Sequence, residues 1–223
     1  MTLIGYWPMI ETGGDVLDHS GSENHGTPQG ITRGVPGILG QPAFDFDGVD
    51  DVFTITEVDY SEPSYVLEDA TFSIWMSADP DTSGTAMRKR TTEDNYNFSL
   101  NANGTNENTS VRFYDGSDWN EVVMDIQVNT WYHVVATIDK QADTISGYLN
   151  GVFQGEDSIP SYTDTSTNGF HVGGYSPTSS SMYTGKFAEF RLYDRVLAPS
   201  EIQYLYDVGS QATLTTEVKT DDS

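Results

Sequence analysis

Hydrophobic and polar residues alternate in short runs along most of the chain. In residues 70–76 an apolar side chain recurs at every second position from Phe72 onward, with two of the three alternate positions polar. This period of two is typical of a β-strand with one buried face. The same pattern predicts ten further strands, at residues 43–46, 52–55, 97–100, 111–114, 121–126, 131–138, 144–149, 152–154, 169–173 and 186–193.

One stretch, residues 197–209, has the pattern of an α-helix instead. It opens with a Pro-Ser-Glu start signal and places Ile202, Leu205 and Tyr206 on one face. We expect Gly209 to end this helix, because glycine favours helix C-termini.

Many short strands with a single helix predict an all-β fold. The expected architecture is a two-sheet antiparallel β-sandwich, or jelly roll, with one short C-terminal helix. Asn150-Gly151, between two predicted strands, is a strong hairpin turn signal. We expect one domain over residues 1–208 and a polar C-terminal tail over residues 209–223.

The chain is extremely acidic. Asp and Glu number 34 against 10 Lys and Arg, so the formal net charge is −24. Such a surface repels nucleic-acid phosphates, which excludes nucleic acid as a partner. Repulsion between its own carboxylates also destabilises the folded chain, and salt at roughly 1 M screens this repulsion by shortening the Debye length to about 3 Å. The charge therefore favours a halophilic protein, and the alternative is an ordinary acidic extracellular protein.

Other bulk features narrow the class further. The chain has no cysteine, which excludes thiol catalysis and cysteine-ligated metals. No apolar run approaches the ~20 residues of a membrane span, so we expect no membrane insertion. The N-terminal sequence MTLIGYWPM lacks the features of a signal peptide, as expected for a mature chain or for a protein released as part of a virion.

Seven short motifs occur in order between residues 3 and 208. They are residues 4–8 (IGYWP), 18–26 (DHSGSENHG), 44–51 (FDFDGVDD), 71–75 (TFSIW), 131–135 (WYHVV), 148–151 (YLNG) and 185–197 (GKFAEFRLYDRVL). In this order they resemble the laminin G-like (LamG-type) jelly rolls of the concanavalin A-like lectin/glucanase superfamily. The resemblance implies two antiparallel sheets packed face to face. It does not fix an activity, because this fold hosts lectins, enzyme-appended modules and structural domains.

An acidic turn at residues 47–51 offers the hard oxygen ligands that Ca²⁺ prefers. Related jelly rolls often hold a structural calcium between this loop, the N-terminal strand and an acidic residue of the last strand. The resemblance therefore implies Ca²⁺ ligands at Pro8, Gly48, Asp51 and Glu189, with a role in tying the chain ends together. The alternative is a charged β-turn without an ion.

Residues 18–26 hold two histidines among acidic and polar residues. His19 and His25 lie six positions apart, which is not the spacing of a helical metal-binding pair. We expect a structural turn instead, in which Asp18 and Ser20 accept hydrogen bonds from nearby backbone N–H groups.

Aromatic side chains beside polar turn residues are candidates for sugar binding. Trp119 is flanked by Asp118 and Asn120, and Tyr114 and Tyr175 occur in similar surroundings. We predict a ligand-binding site formed by these five residues. The alternative is that Trp119 covers a hydrophobic edge or meets a partner chain.

Residues 57–62 match the pattern E-x-D-x-x-E, which resembles the catalytic signature of glucanases with this fold. Retaining glycosidases need two carboxyls about 5–5.5 Å apart on a rigid element, whereas this stretch runs into a Ser-Glu-Pro-Ser loop. We therefore predict no catalytic residues and a protein that is not an enzyme. A glycoside hydrolase stays as an alternative.

A basic run stands out against the acidity. Arg88, Lys89 and Arg90 are consecutive, and we predict that they contact an acidic surface of a neighbouring copy. The alternative is a solvated loop.

Together these features predict a non-enzymatic structural or binding module of an extracellular assembly. The specific expectation is a surface component of a haloarchaeal virion, as a capsid decoration, turret or tail appendage. Its partners would be further copies of itself, other virion proteins and host-surface glycans. The alternative is a carbohydrate-binding lectin module of a secreted or cell-surface halophile protein.

Overall fold

The computed structural model describes residues 3–55, 69–90, 96–114, 118–159, 170–174 and 181–211. This part of the chain forms fifteen β-strands, one short 3-10 helix and one α-helix. The strands are β1 (Leu3–Trp7), β2 (Gly26–Gln29), β3 (Thr32–Pro36), β4 (Pro42–Asp47), β5 (Val52–Ile55), β6 (Ala70–Ala78), β7 (Ser83–Arg90), β8 (Tyr96–Asn103), β9 (Asn108–Tyr114), β10 (Trp119–Asp125), β11 (Tyr132–Asp139), β12 (Thr144–Leu149), β13 (Val152–Ser158), β14 (Phe170–Val172) and β15 (Thr184–Tyr193). The 3-10 helix is Ile38–Gly40 and the α-helix, α1, is Pro199–Gln211.

The strands form two antiparallel sheets. The eight-stranded sheet has the order β13-β12-β11-β6-β15-β4-β3, with β1 also paired to β15. The seven-stranded sheet has the order β10-β9-β8-β7-β14-β5-β2. This confirms the predicted two-sheet antiparallel sandwich with one C-terminal helix.

Every strand predicted from alternation is present, with bounds shifted by a few residues. The alternation did not reveal β1, β2, β3 and β7, because these strands carry glycine, proline or charged residues where the pattern needs apolar ones. The acidic turn after Asp47 joins β4 of one sheet to β5 of the other, so these two strands do not pair with each other.

Aromatic side chains fill the space between the two sheets. The Phe72 ring of the eight-stranded sheet stacks on the Phe98 ring of the seven-stranded sheet, with centroids 4.0 Å apart. Phe170 packs beside this pair, 5.6 Å from the Phe72 ring. Trp7 stacks on Phe190 at 4.9 Å in the same core. Burial of such large rings supplies most of the force that holds the sheets together.

Strand β6 is buried on both faces, which its alternation does not predict. Helix α1 covers the outer face of its sheet, where Trp75 stacks on Tyr206 at 5.7 Å. A Cβ at Gly209 would lie 2.6 Å from the Trp75 indole nitrogen, so the glycine lets the helix approach the sheet closely. The helix therefore continues through Gly209 to Gln211, and the prediction that Gly209 ends it is wrong.

Side chains just before the helix and in its first turn stabilise the start of α1. Arg195 donates two hydrogen bonds to Glu201, at 2.7 and 2.6 Å. Glu201 also accepts a hydrogen bond from the Ala198 backbone N–H at 2.8 Å, which satisfies a donor at the helix start. No helix within the described ranges is long and apolar enough to span a bilayer.

Replacement of Ile202 by alanine should loosen this helix. Ile202 is fully buried under α1, so Ile202→Ala should lower the free energy of unfolding by about 2–5 kcal/mol. Tyr204→Ala on the same helix is the control, because Tyr204 is 66% exposed and its loss should change stability by less than about 0.5 kcal/mol. Urea unfolding followed by circular dichroism measures both, and equal effects would contradict this packing.

Candidate functional site

A continuous row of polar residues crosses the outer face of the seven-stranded sheet. Register pairs link one residue from every strand of the sheet, and these residues alternate with core residues such as Phe53, Phe98 and Phe113. The row consists of Thr27, Thr54, His171, Arg88, Ser99, Arg112 and Glu121. This face of the sandwich therefore carries side chains that can donate or accept hydrogen bonds.

A cavity of about 270 Å³ opens on this face, where β7, β8, β9 and β10 lie side by side. Amides and hydroxyls line most of it, and Arg112 and Glu121 stand at one end. The amide and hydroxyl side chains of the lining include Ser83, Asn101, Asn103, Asn108 and Ser110.

The polar groups of the cavity fall into two sets. Asn101 is held in place, because it accepts a hydrogen bond from Thr85 at 3.2 Å and donates one to Ser99 at 3.1 Å. In contrast, the side chains of Ser83, Asn108 and Ser110 make no hydrogen bond with any residue that the structure describes. The first set gives the cavity its shape, and the second leaves donors and acceptors for a ligand.

An aromatic pair borders this cavity. Tyr114 and Trp119 face each other across β9 and β10, with ring centroids 5.1 Å apart. The Arg112 guanidinium lies over the Trp119 ring at 4.9 Å, and its Nε is 3.4 Å from Glu121 Oε1. Arg112 thus rests on the tryptophan, so Trp119 supports a charged group at the cavity and does not offer that face as an open platform.

The predicted ligand-binding residues are brought together in part. Tyr114 and Trp119 are adjacent, Asp118 is exposed and Asn120 is half-buried beside them. Tyr175 lies outside the described residues.

The sequence reading missed Arg112, Glu121 and the asparagines of β8 and β9. The signal was present in β9, where polar residues occupy every second position from Asn108 to Tyr114. This alternation indicates a binding site only when the positions of β7, β8, β9 and β10 in the sheet are known.

The basic run does not form a surface loop. Arg88 and Lys89 lie in strand β7, between β8 and β14, and both side chains are buried. The prediction that they contact a neighbouring copy is therefore wrong for these two residues, because side chains that are 2% and 0% exposed cannot reach another chain. Arg90 is the last residue of the strand.

The stretch at residues 18–26 is a turn organised by one carboxylate. Asp18 accepts hydrogen bonds from the backbone N–H groups of Tyr6, Ser20 and Asn24, at 2.8, 2.8 and 3.0 Å. His25 accepts a hydrogen bond from the Asp18 N–H at 3.0 Å. His19 lies near Glu11 instead, so the two histidines do not share a site. The prediction of a structural turn is confirmed.

The four predicted calcium ligands do not meet. Gly48 lies against Thr184, whereas the Glu189 N–H donates to the Pro8 carbonyl at 3.4 Å. Thr184 and Glu189 are five residues apart on β15, roughly 16 Å at about 3.3 Å per residue. The predicted ligand set of Pro8, Gly48, Asp51 and Glu189 is therefore wrong as a single site.

Carboxylates do gather at the turn itself. Asp47, Asp50 and Asp51 place one oxygen each within 4.8 Å of the others. Burial raises the pKa of Asp51, a hydrogen bond from the Asp47 N–H lowers it, and the neighbouring carboxylates raise it further. These contacts describe a tight turn between the two sheets, and calcium at this turn stays a prediction.

A second cavity, of about 410 Å³, lies between α1 and the outer face of the eight-stranded sheet. On its floor the Tyr6 hydroxyl donates to Glu189 at 2.9 Å, and Arg191 binds the same carboxylate. The Arg191 guanidinium also lies 4.3 Å above the Tyr6 ring. Burial raises the pKa of Tyr6 to about 12. Because these three groups satisfy one another, they brace the strand bulge at Glu189 and leave few open groups for a ligand.

Comparisons place these features in a family. Residues 47–203 match the family model described as "Concanavalin A-like lectin/glucanases superfamily". The chain belongs to this superfamily. Its laminin G-like matched region contains the whole candidate cavity, since Ser83 to Glu121 lie within it. No curated protein sequence matches the chain.

Solved structures similar to this superfamily member include binding domains of a mosquitocidal protein and of botulinum neurotoxins. The binding domain of Paraclostridial Mosquitocidal Protein 1 has a TM-score of 0.74 at 16% identity, over 93% of this chain and 52% of its own. The ligand binding domain of botulinum neurotoxin serotype D, in complex with N-acetylneuraminic acid, has a TM-score of 0.75 at 14% identity, over 93% and 51%. The serotype G binding domain has a TM-score of 0.75 at 14% identity, over 94% and 52%. The chain thus spans about half the length of these structures, and the likeness shows the fold.

Buried His133 gives the stability of this fold a pH dependence. His133 bonds Ser73 through Nε2 at 2.8 Å, and burial, with a smaller effect of Arg191, lowers its pKa to about 3. In the unfolded state a histidine has a pKa near 6.5. Between about pH 6.5 and 3 the unfolded state therefore binds a proton at His133 that the native state does not bind, and the free energy of unfolding falls as the pH drops.

The expected contribution is about 1.4 kcal/mol per pH unit within that window. His133→Gln should remove this slope from curves of unfolding free energy against pH measured between pH 6.5 and 4. His19→Gln is the control, because the His19 side chain is 42% exposed. Parallel curves for wild type and His133→Gln would contradict the assignment.

Proposed function

We propose that this chain is a non-enzymatic carbohydrate-binding module that acts outside the cell. The observation that carries the proposal is the cavity on the outer face of the seven-stranded sheet, lined by amides and hydroxyls. Its open groups are on Ser83 of β7 and on Asn108 and Ser110 of β9, and β8 lies between these two strands.

Sugars suit such a cavity because each hydroxyl both donates and accepts hydrogen bonds. A serine hydroxyl and an asparagine amide also do both, so the lining matches a sugar whatever the orientation of its hydroxyls. The strands hold these side chains at fixed spacing, so little ordering is required when a ligand binds.

Membership of the superfamily supports sugar binding, but the fold alone does not distinguish lectins from its other members. Members of the superfamily include lectins, and the similar structures are binding or ligand-binding domains by description. The glucanase-like stretch at residues 57–62 lies outside the described residues. The non-enzymatic part of the proposal is checked by incubating wild-type protein with a panel of β-glucans, where any released sugar would count against it.

The binding site is tested by changing its open side chains. Asn108→Ala should weaken glycan binding by about three- to tenfold, the value of one neutral hydrogen bond. Ser110→Tyr should abolish binding, because the larger side chain would fill the cavity. Gln127→Ala removes an exposed amide outside the cavity and should bind like wild type.

The measurement is a glycan array followed by calorimetry on each glycan that binds, in at least 1 M NaCl. The high salt screens the self-repulsion of the chain. Unchanged affinity in Ser110→Tyr would place the site elsewhere, and a wild-type protein that binds no glycan on the array would end the proposal.

A structural role in an extracellular assembly, such as a virion surface, is the second candidate. Val152 and Phe153 are 59% and 51% exposed on β13, which is an edge strand of the eight-stranded sheet. Apolar side chains on an exposed strand edge favour pairing with another chain. A halophilic setting is part of this candidate, because salt would screen the charge of −24 between copies.

Light scattering in multimolar salt tests the assembly role. We expect a discrete oligomer for wild type and a monomer for Phe153→Ser, because the serine removes the apolar contact. Val49→Ser is the control, since Val49 is 67% exposed at a turn and away from the strand edge. A wild-type protein that is monomeric under these conditions would contradict self-assembly through β13.

A further inference from the structure

We propose that the cavity on the seven-stranded sheet selects sugars that carry a carboxylate, and that Arg112 binds the acid group. This inference rests on the proposed function of the same cavity, and it names the class of glycan. It would make Arg112 the specificity-determining residue of the site.

The geometry around Arg112 leaves one side of its guanidinium open. Nε is 3.4 Å from Glu121 Oε1, and the plane lies over the Trp119 ring at 4.9 Å. The two Nη groups donate no hydrogen bond to any residue in the described ranges, and the side chain is 30% exposed. Arg112 is also part of the cavity lining.

These contacts orient the guanidinium before a ligand arrives. Glu121 fixes the Nε side, and Trp119 fixes the plane through a cation–π contact. The outward fork of two Nη groups has the spacing of a carboxylate, which it can bind through two parallel hydrogen bonds. Because Glu121 is engaged at Nε, it does not compete directly for that fork.

Two arginines lie on this face of the sheet, although the chain as a whole is acidic. Arg88 lies in the same row as Arg112, with only Ser99 between them. Lys89, the next residue of β7, pairs with Phe98 and Phe170 and is fully buried on the core side of the sheet, so it adds no charge to the cavity face. The acidic groups near Arg112 include Glu121 and Asp125 on β10 and Asp157 on β13, whose carboxylate accepts a hydrogen bond from the Glu121 N–H at 2.9 Å. The open Nη groups, and not the net charge around them, therefore carry this inference.

The hydroxyl and amide groups complete the match to an acidic sugar. Ser110 precedes Arg112 by two positions on β9 and shares its face, and Asn108 lies two positions further along. A sugar with its carboxylate on Arg112 would therefore bring its hydroxyls near Ser110, about 7 Å along the strand, and the next sugar of an oligosaccharide would lie near Asn108. A simple anion would use Arg112 alone and gain nothing from the other two.

The experiment compares each acidic glycan with its own methyl ester. The probes are oligosaccharides that contain glucuronic acid, galacturonic acid or N-acetylneuraminic acid, the methyl ester of each, and O-sulfated glycans. Esterification removes the charge and leaves the sugar otherwise unchanged. Calorimetry in 1 M NaCl screens the long-range repulsion of the acidic chain.

We expect wild type to bind at least one free acid about tenfold or more tightly than its ester, as for a charge-assisted bidentate contact. Arg112→Gln should abolish this acid-to-ester ratio, and Arg112→Lys should keep only part of it, because lysine lacks the fork. The control is Arg33→Gln, which removes another arginine that lies over an aromatic ring, Phe44, in the opposite sheet. Thermal melts establish that each variant is folded.

The outcomes separate this inference from the function on which it rests. Equal binding of acids and esters, or a ratio that survives Arg112→Gln in folded protein, would overturn the inference and leave a neutral-sugar site. A preference for sulfated glycans over all carboxylates would overturn the assignment of a carboxylate. Absence of binding to every probe and every neutral glycan would end both proposals.

Discussion

The packing of two sheets through one layer of aromatic rings is the constraint on which the rest of the structure depends. The stack of Phe72 on Phe98 joins the sheets near their centre, and Phe170, Trp7 and Phe190 continue the layer. Since alternate residues of each strand are committed to this layer, the remaining residues form two outer faces with separate roles.

The two outer faces differ because, in the part of the chain that the structure describes, a helix covers only one of them. Helix α1 covers the eight-stranded sheet, where Trp75 meets Tyr206 and Gly209 permits close approach. The polar groups beneath and beside it, such as Tyr6, Glu189 and Arg191, satisfy one another. The seven-stranded sheet instead carries the row of polar residues and a cavity with open hydroxyls and an open amide. The geometry therefore favours this second face for binding.

The architecture could be predicted from the sequence because it depends on local periodicity and ordered motifs. Strand β6 shows the limit, since alternation indicates one buried face and the helix buries the other. Strand β7 was missed because Arg88 and Lys89 are charged, yet both are buried at interior positions of the sheet.

The candidate site was harder to predict because it depends on register between strands. Trp119 and Tyr114 could be predicted as candidate binding residues because they are aromatic and near turns, and they do lie together. The alternation in β9 places their neighbour Arg112 on the polar face of the strand, but it does not distinguish Arg112 from a solvated cation. Only pairing of β9 with β10 shows that it rests on Trp119 beside Glu121. The predicted calcium ligands failed for the same reason, because order along the chain did not reveal the separation of Glu189 from Asp51.

The central claim is that the outer face of the seven-stranded sheet is the binding surface. A crystal structure of the protein with a bound oligosaccharide, grown in high salt, tests it most directly. The account predicts ligand density over Asn108, Ser110 and Arg112. Density in the cavity beside α1, against Tyr6 and Arg191, would contradict it.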